Sequence, residues 1–255
     1  MTTRRYALRD DQWQRIGHLL PGREGTLGVT AKNNRLFVEA VLYRYRVGIP
    51  WRDLPECFDD FRVIHTGHMR WSKRGVWQRA FEVLSTEADH EYAQIKSTIE
   101  RAHQHSAGAK KDRTEEYIDR SSRGLTTKIE ATCDALGNPT GFHLSPGQAH
   151  DLQGADVLCP PLLDQIQALL ADITYAAKVR LLDHLDQRQV EAVIPPKSNQ
   201  KQPWEFDRDK YRWRHLIENL FAKWKQYRGI ATRYDKRVCA FLGGIHWIAA
   251  FIWLN

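Results

Sequence analysis

The stretch Tyr211-Arg-Trp-Arg214-His-Leu-Ile-Glu218-Asn-Leu-Phe-Ala-Lys-Trp-Lys225 carries two patterns at once. Leu216, Ile217, Leu220 and Phe221 recur at helical spacing and predict a helix, from about residue 207 to 227, that lays its apolar side on a sheet. Arg214, Glu218 and Lys225 stand at i, i+4 and i+11, which puts them on one continuous face. Such a basic–acidic–basic face can grip phosphates on either side of a metal-binding carboxylate. A single acid is most often an ordinary exposed side chain, so the neighbours are what give Glu218 its meaning.

Upstream, Tyr92–Ala102 alternates as a strand. Gly124–Cys133 and residues 140–144 flank the turn Asp134-Ala-Leu-Gly-Asn-Pro139, which makes a three-strand antiparallel meander. A helix is expected over 156–169, then a short buried strand Leu169-Leu170-Ala171 ending at Asp172. A helix over 176–187, a strand over 190–194 and a loop rich in Pro, Lys and Asn lead into the late helix. Three antiparallel strands followed by alternating helix and strand is the order of an RNase H-like domain, so the expected fold class is α/β (α+β) with a mixed sheet. Folds of this order hold two divalent metals between acids on the first strand, at the end of the fourth and on a late helix. Asp172 suits the fourth-strand position and Glu218 the helical one.

The first 88 residues read as helical. Trp13, Ile16, Leu19 and Leu20 mark one helix, capped by Asp10 and stopped by Pro21-Gly22. Leu36, Phe37, Ala40, Val41 and Tyr43 mark a second over 32–47, and two more follow the turn Gly48-Ile-Pro50-Trp51-Arg52-Asp53-Leu54-Pro55. Arg62, His65, His68, Arg70, Lys73 and Arg74 cluster on these short helices, as in a helix-turn-helix DNA reader; a helical bundle with a solvated basic face fits equally well. Trp13, Trp77, Trp247 and Trp253 sit on apolar stripes and are expected in the core. Trp204, Trp213 and Trp224 are the better candidates for nucleotide stacking, with packing the commoner fate even there.

The chain has 255 residues, a formal net charge of +7, 42% hydrophobic and 27% charged residues, which excludes wholesale disorder and favours polyanionic partners. Its four cysteines (Cys57, Cys133, Cys159, Cys239) form no C-x-x-C pair, so neither a zinc knuckle nor a disulfide framework is expected. The charged N-terminus lacks the apolar core of a secretory signal. Residues 238–254 are almost uncharged but short for a bilayer span and contain His246, so a buried core helix is expected and no membrane partner.

Together these stretches resemble the insertion-sequence-five family of bacterial transposases over nearly the whole chain. Tyr211, Arg214, Glu218 and Lys225 match the Tyr-Arg-Glu-Lys signature of that group. Further matching stretches are Val29–Arg46 by number 29–46, Gly48 to Pro55, Trp71-Ser-Lys-Arg-Gly-Val-Trp77, Arg101-Ala-His-Gln-His-Ser-Ala-Gly-Ala-Lys110, Gly147-Gln-Ala-His-Asp151, Ala192-Val-Ile-Pro-Pro-Lys197 and Ile230-Ala-Thr-Arg-Tyr-Asp-Lys236. The resemblance implies a helical DNA-binding domain (1–88), a catalytic-type domain (89–255) with a mobile basic loop at about 104–123, and an Asp-Asp-Glu triad binding Mg²⁺ or Mn²⁺. It implies double-stranded DNA as partner, at the terminal inverted repeats and the target, a homodimer or larger assembly on DNA, and a cytoplasmic, nucleoid-associated setting. Tyr211, Arg214, Lys225, Arg70, Lys73, Arg74, Lys110, Lys111 and Arg233 are the expected DNA contacts.

The second and third acids carry over to Asp172 and Glu218, the expected metal ligands. The first lies in Ile95-Lys96-Ser97-Thr98-Ile99, where relatives have Ile-Asp-Ser-Thr; here the residue is Lys96. An ammonium group roughly 5 Å from a divalent ion repels it by about 6–7 kcal/mol at an effective dielectric near 20, before screening. A salt bridge from Lys96 to Asp172 or Glu218 is the expected alternative, with weak or absent catalysis and a metal bound only if the chain is active. Glu100 lies roughly 13 Å along the strand, and Glu130 on the neighbouring strand is a poor substitute. Ala176 also stands where an Asp is usual. The competing readings are a catalytically inactive DNA-binding regulator and, less favoured, a zinc hydrolase built on His103, His105, His150 and Asp151.

Overall fold

The computed structural model describes residues 6–23, 30–106, 117–121, 124–200 and 202–255. Two compact units divide the chain, and they interleave in sequence: 1–86, 102–116 and 224–255 form one, 87–101 and 117–223 the other. The sequence reading assigned everything after residue 88 to the second unit. The difference lies in residues 102–116 and 224–255, the latter including the C-terminal helix, whose apolar surface is buried among the N-terminal helices.

The helical unit contains α1 (Asp10–Gly17), α2 (Asn34–Val47), α3 (Phe61–Lys73) and α4 (Val76–Leu84). Asn33 caps α2 by accepting from Leu36 N at 2.9 Å, and Gly48, at φ 74°, ends it in the left-handed region. Arg9, and not Asp10, is the capping residue of α1. The buried surface of α2 is broader than the stripe read from sequence. It takes in Val38, Glu39, Leu42, Arg44 and Tyr45, while Tyr43 is only half-buried. Glu39 is nearly inaccessible because it accepts from Leu8 N at 3.1 Å and pairs with Arg35 at 3.3 Å.

The sheet unit is built on β1 (Tyr92–Ala102), β2 (Asp119–Ser121), β3 (Gly124–Cys133) and β4 (Pro139–Pro146). After it come α5 (Leu152–Leu158), β5 (Ala168–Leu170), α6 (Asp183–Gln187) and β6 (Glu191–Val193), then α7 (Arg208–Arg212) and α8 (His215–Lys225). β3 pairs antiparallel with β1 on one side and with β4 and β2 on the other; β5 is parallel to β1, and β6 to β5. The spatial order is therefore β4-β3-β1-β5-β6, a mixed sheet.

Alternation along the strands sorts the core. Ala93, Ile95, Leu169 and Ala171 face a cluster that includes Leu152, Leu158 and Leu185, whereas Ala168, Leu170 and Val193 face Phe206 and Tyr211. The helix expected over 156–169 stops at Leu158, and turns fill the stretch to Ile166. The segment after Asp172 is a 3-10 turn (Ile173–Tyr175) and a π-helical stretch (Lys178–Leu182) before α6, not one helix. Within the expected mobile loop, Gln104–Ser106 form a 3-10 turn and β2 pairs with β3; the central part, with Lys110 and Lys111, lies outside the described residues.

The chain closes with α9 (Arg228–Ala231), the two-residue strand β7 (Thr232–Arg233) and α10 (Val238–Trp253), all of them in the helical unit. Among the described residues no helix is long and apolar enough to cross a membrane. α10 is instead a core helix: Trp247 stands 5.2 Å from Trp77 and donates through Nε1 to Val38 O at 3.2 Å. Gly243 and Gly244 let neighbours press against its backbone. A Cβ on Gly244 would lie 2.1 Å from Cζ of Tyr45 and one on Gly243 2.2 Å from Oγ of Ser72. In an open helix Gly→Ala stabilises by roughly 1 kcal/mol. Gly244→Ala should instead lower the urea midpoint, with a loss of about 1–3 kcal/mol, because Tyr45 is fully buried and cannot retreat; an unchanged or raised midpoint would contradict this packing.

Candidate active site

The parallel pairing of β1 with β5 puts Gln94 opposite Leu170. Two residues further along each strand, past the end of the ladder, come Lys96 and Asp172. Strand alternation keeps Lys96 on the face of Gln94, and Asp172 lies just beyond the last residue of β5. The same face receives α8, because Ile217 N donates to Oε1 of buried Gln94 at 3.2 Å. Register and helix docking thus bring Lys96 and Glu218 together from positions 122 residues apart in the chain, while Asp172 follows the end of β5 beside β1.

Lys96 Nζ donates to Glu218 Oε1 at 2.7 Å. Arg214 Nη2 donates to the same oxygen at 2.7 Å. The Lys96 hydrogen bond, reinforced by Arg214, holds the Glu218 carboxyl below the usual range although it is partly buried. The ion pair expected from the sequence is present, and it goes to Glu218 and not to Asp172. Asp172 instead caps the following 3-10 turn, accepting from Thr174 N at 2.9 Å and from the Thr174 hydroxyl. Among the described residues no three His, Cys, Asp or Glu side chains form a group that could hold a metal ion.

The helix read as continuous from 207 to 227 is broken by a turn at Trp213 and Arg214, yet Arg214 still reaches Glu218. Tyr211 packs on the Leu170 cluster, its ring under the Arg214 guanidinium at 5.6 Å. Trp213, 52% exposed, remains free to meet a ligand, whereas Trp224 is buried and Trp204 donates to Ile194 O at 2.8 Å. Lys225 ends α8 and falls in the helical unit.

Two further residues depart from their expected roles, and a third, Glu130, keeps to its own. Arg233, an expected DNA contact, is fully buried; its guanidinium donates to the carbonyls of Asp235 and Lys236 at 2.9 and 3.1 Å, so it braces a loop. His68 is also fully buried, between Tyr45 and Ala240 O, and burial pushes its pKa down to about 4. Glu130 lies on the face of the sheet away from Glu218, against Gly154 of α5, so it cannot replace a missing acid beside Lys96. For the zinc reading, His103 and His105 belong to one unit and His150 and Asp151 to the other. Asp151 is already engaged by Lys128 Nζ at 2.7 Å and Ser97 Oγ at 2.8 Å. Burial alone would raise the Asp151 carboxyl, but those hydrogen bonds outweigh it and hold it low. This Lys128–Asp151–Ser97 group was missed; the shared parity of Lys128 and Glu130 on one strand was its only trace in the sequence.

These features define a mixed-sheet domain with a polar constellation just past the end of the ladder between two parallel strands. Comparison with known families matches residues 97–250 to "Transposase DDE domain" and residues 8–81 to "Putative transposase of IS4/5 family". The chain belongs to the family of transposases with a DDE domain. It is 34% identical over 136 residues to "Putative transposase for insertion sequence element IS6501" of Brucella ovis, covering 51% of this chain and 100% of that protein. It is 49% identical over 106 residues to "Uncharacterized protein y4sN" of Sinorhizobium fredii, covering 41% of this chain and 83% of that one. No solved structure gives a significant match.

Glu130 generates a pH prediction. Burial raises its carboxyl to about 7, although Ser145 Oγ donates to Oε1 at 2.6 Å. A carboxyl raised above its unfolded value contributes fully below about pH 4.5, and its contribution is lost as pH climbs through 7. Glu130→Gln should therefore be more stable than the native chain at pH 8, by up to about 3 kcal/mol, and lose that advantage by pH 4.5. Urea unfolding at both pH values measures this; an advantage that grows toward acid would contradict it.

Proposed function

We propose that this chain is a DNA-binding transposase whose strand-cleaving centre is disabled by Lys96, so that it occupies element ends and cuts them weakly or not at all. The observation that carries this reading is the 2.7 Å bond from Lys96 Nζ to Glu218 Oε1. The strand order β4-β3-β1-β5-β6 supports an RNase H-like assignment, in which the first acid belongs on β1 at this height. In that frame Asp172 and Glu218 are the remaining acidic positions.

Two carboxylates and an ammonium group do not fit a pair of Mg²⁺ or Mn²⁺ ions. Such ions require several oxygen ligands, and one of the two carboxylates is already neutralised by Lys96 and Arg214. No cleavage step is therefore assigned to these residues. What they can do is present cations: Arg214 and Lys96 at the sheet end, with Trp213 exposed beside them, offer phosphate contact and a stacking surface. The partner in this reading is double-stranded DNA at the terminal inverted repeats, bound by a homodimer or larger assembly in the cytoplasm at the nucleoid. α3 and α4, joined through Arg74-Gly75, take the place of the helix-turn-helix.

Strand nicking and joining on terminal-repeat DNA with Mg²⁺ or Mn²⁺ tests this directly. The native chain should bind the DNA and leave it intact. Lys96→Asp should cut it, and should also gain thermal stability on adding Mn²⁺, since three acids then repel one another without the ion. Robust cutting by the native chain would sink the proposal, as would a Lys96→Asp variant that folds, binds DNA and neither cuts nor responds to Mn²⁺.

A further inference from the structure

In the helical unit an open groove of about 1210 Å³ is lined by separated segments: the turn at Trp51 and Arg52, one side of α3 from Phe61 on to Arg74, Gln104 and His105, and residues 234–237. It is larger than most small-molecule pockets, which run to about 1,000 Å³. Arg52, Arg70, Lys73, Arg74, Lys236 and Arg237 all line it with exposed side chains. No hydrogen bond or ion pair within the described residues neutralises any of these six side chains. The one acid in the lining, Asp235, is buried and spent: it accepts from Arg44 Nη1 at 2.8 Å and Tyr45 OH at 3.0 Å. Six uncompensated cations around a concavity concentrate positive potential there.

The groove is built and not incidental. Residues 235 and 236 are fixed from beneath by the buried Arg233 guanidinium, and Asp235 is tied to Arg44 and Tyr45 of α2. Burial alone would raise the Asp235 carboxyl, but Arg44 outweighs this and keeps it ionised. Lys236 and Arg237 are thereby held outward on a rigid loop. The bland alternative is that Arg70, Lys73 and Arg74 merely complement the carboxyl end of α3. That account leaves Arg52, Lys236 and Arg237 without a reason to converge.

The aromatic lining tells which part of a nucleic acid would be held. Trp51, Phe61 and Tyr234 are all half-buried. The Trp51 ring already meets the Arg44 guanidinium at 4.8 Å and His68 at 5.3 Å, and Tyr234 is stacked on His103 at 4.8 Å. Rings engaged in this way are poor platforms for unpaired bases, whereas the cations remain free for phosphates. We infer that this groove is a seat for the phosphate backbone of duplex DNA, gripped without reading its sequence. The inference rests on the proposal that the chain binds DNA, and it adds where and how a sequence-independent share of that binding arises.

The test measures affinity of the native chain and of Lys236→Gln/Arg237→Gln for several short duplexes of unrelated sequence and for single strands, over a range of KCl. Each neutralised phosphate contact contributes about 0.9 to the slope of log affinity against log salt, so the double variant should lose a slope of about 2, by a similar factor for every duplex. Both side chains are exposed and unpaired, so the thermal midpoint should not move; Lys32→Gln, an exposed lysine outside the groove, should leave the slope as it is. A native chain that binds duplex while the double variant keeps the same affinity and slope overturns the groove and spares the DNA-binding proposal. A loss confined to one sequence, or tighter binding of single strands than of duplex, overturns the duplex-backbone assignment. A native chain that binds no DNA even at low salt removes both.

Discussion

One ion pair governs how the sheet unit can be read. Lys96 and Glu218 come from opposite ends of that unit and meet because β1 runs parallel to β5 while α8 is pinned to β1 through Gln94. As a source of stability the pair is modest, since both partners are substantially exposed and surface ion pairs contribute about 0–1 kcal/mol. Its importance lies in occupancy. A carboxylate oxygen that accepts from both Lys96 and Arg214 has its charge satisfied, and a divalent ion would have to displace an ammonium group to reach it.

The two units use polar groups differently. In the helical unit Arg44, Tyr45, His68, Arg233 and Asp235 form a buried network that fixes the loop bearing Lys236 and Arg237. Breaking such a network by removing one partner is costly because it strands a buried charge. In the sheet unit the polar groups gather along the middle of β1 and β3. Asp151 is held by Lys128 and Ser97 on one face, and Glu218 by Lys96 and Arg214 on the other.

The strands were legible because their periodicity is local: Tyr92–Ala102 and Gly124–Cys133 occur with the bounds read from alternation alone. The salt bridge was legible too, because it follows from charge and strand order. The helix ends past Asp172 were not, since the 3-10 and π-helical turns between Ile173 and Leu182 depend on how that stretch packs, and propensity does not encode it. Nor was the fate of Arg233 or His68 readable, because a basic residue in a basic run looks exposed until its partners are known, here loop carbonyls for Arg233 and residues of α2 and α10 for His68. The same non-local packing draws α10 back into the helical unit; its Gly243-Gly244 pair was visible, but nothing local said which rings would press against it.

The central claim is that the native chain lacks a usable divalent-metal centre because Lys96 fills it. Electron paramagnetic resonance of free Mn²⁺, titrated with the native protein at neutral pH, measures this most directly. The account predicts that the free-ion signal persists to millimolar protein, with no stoichiometric binding. Loss of the signal with micromolar affinity and two ions per chain, with Lys96 unaltered, would contradict it.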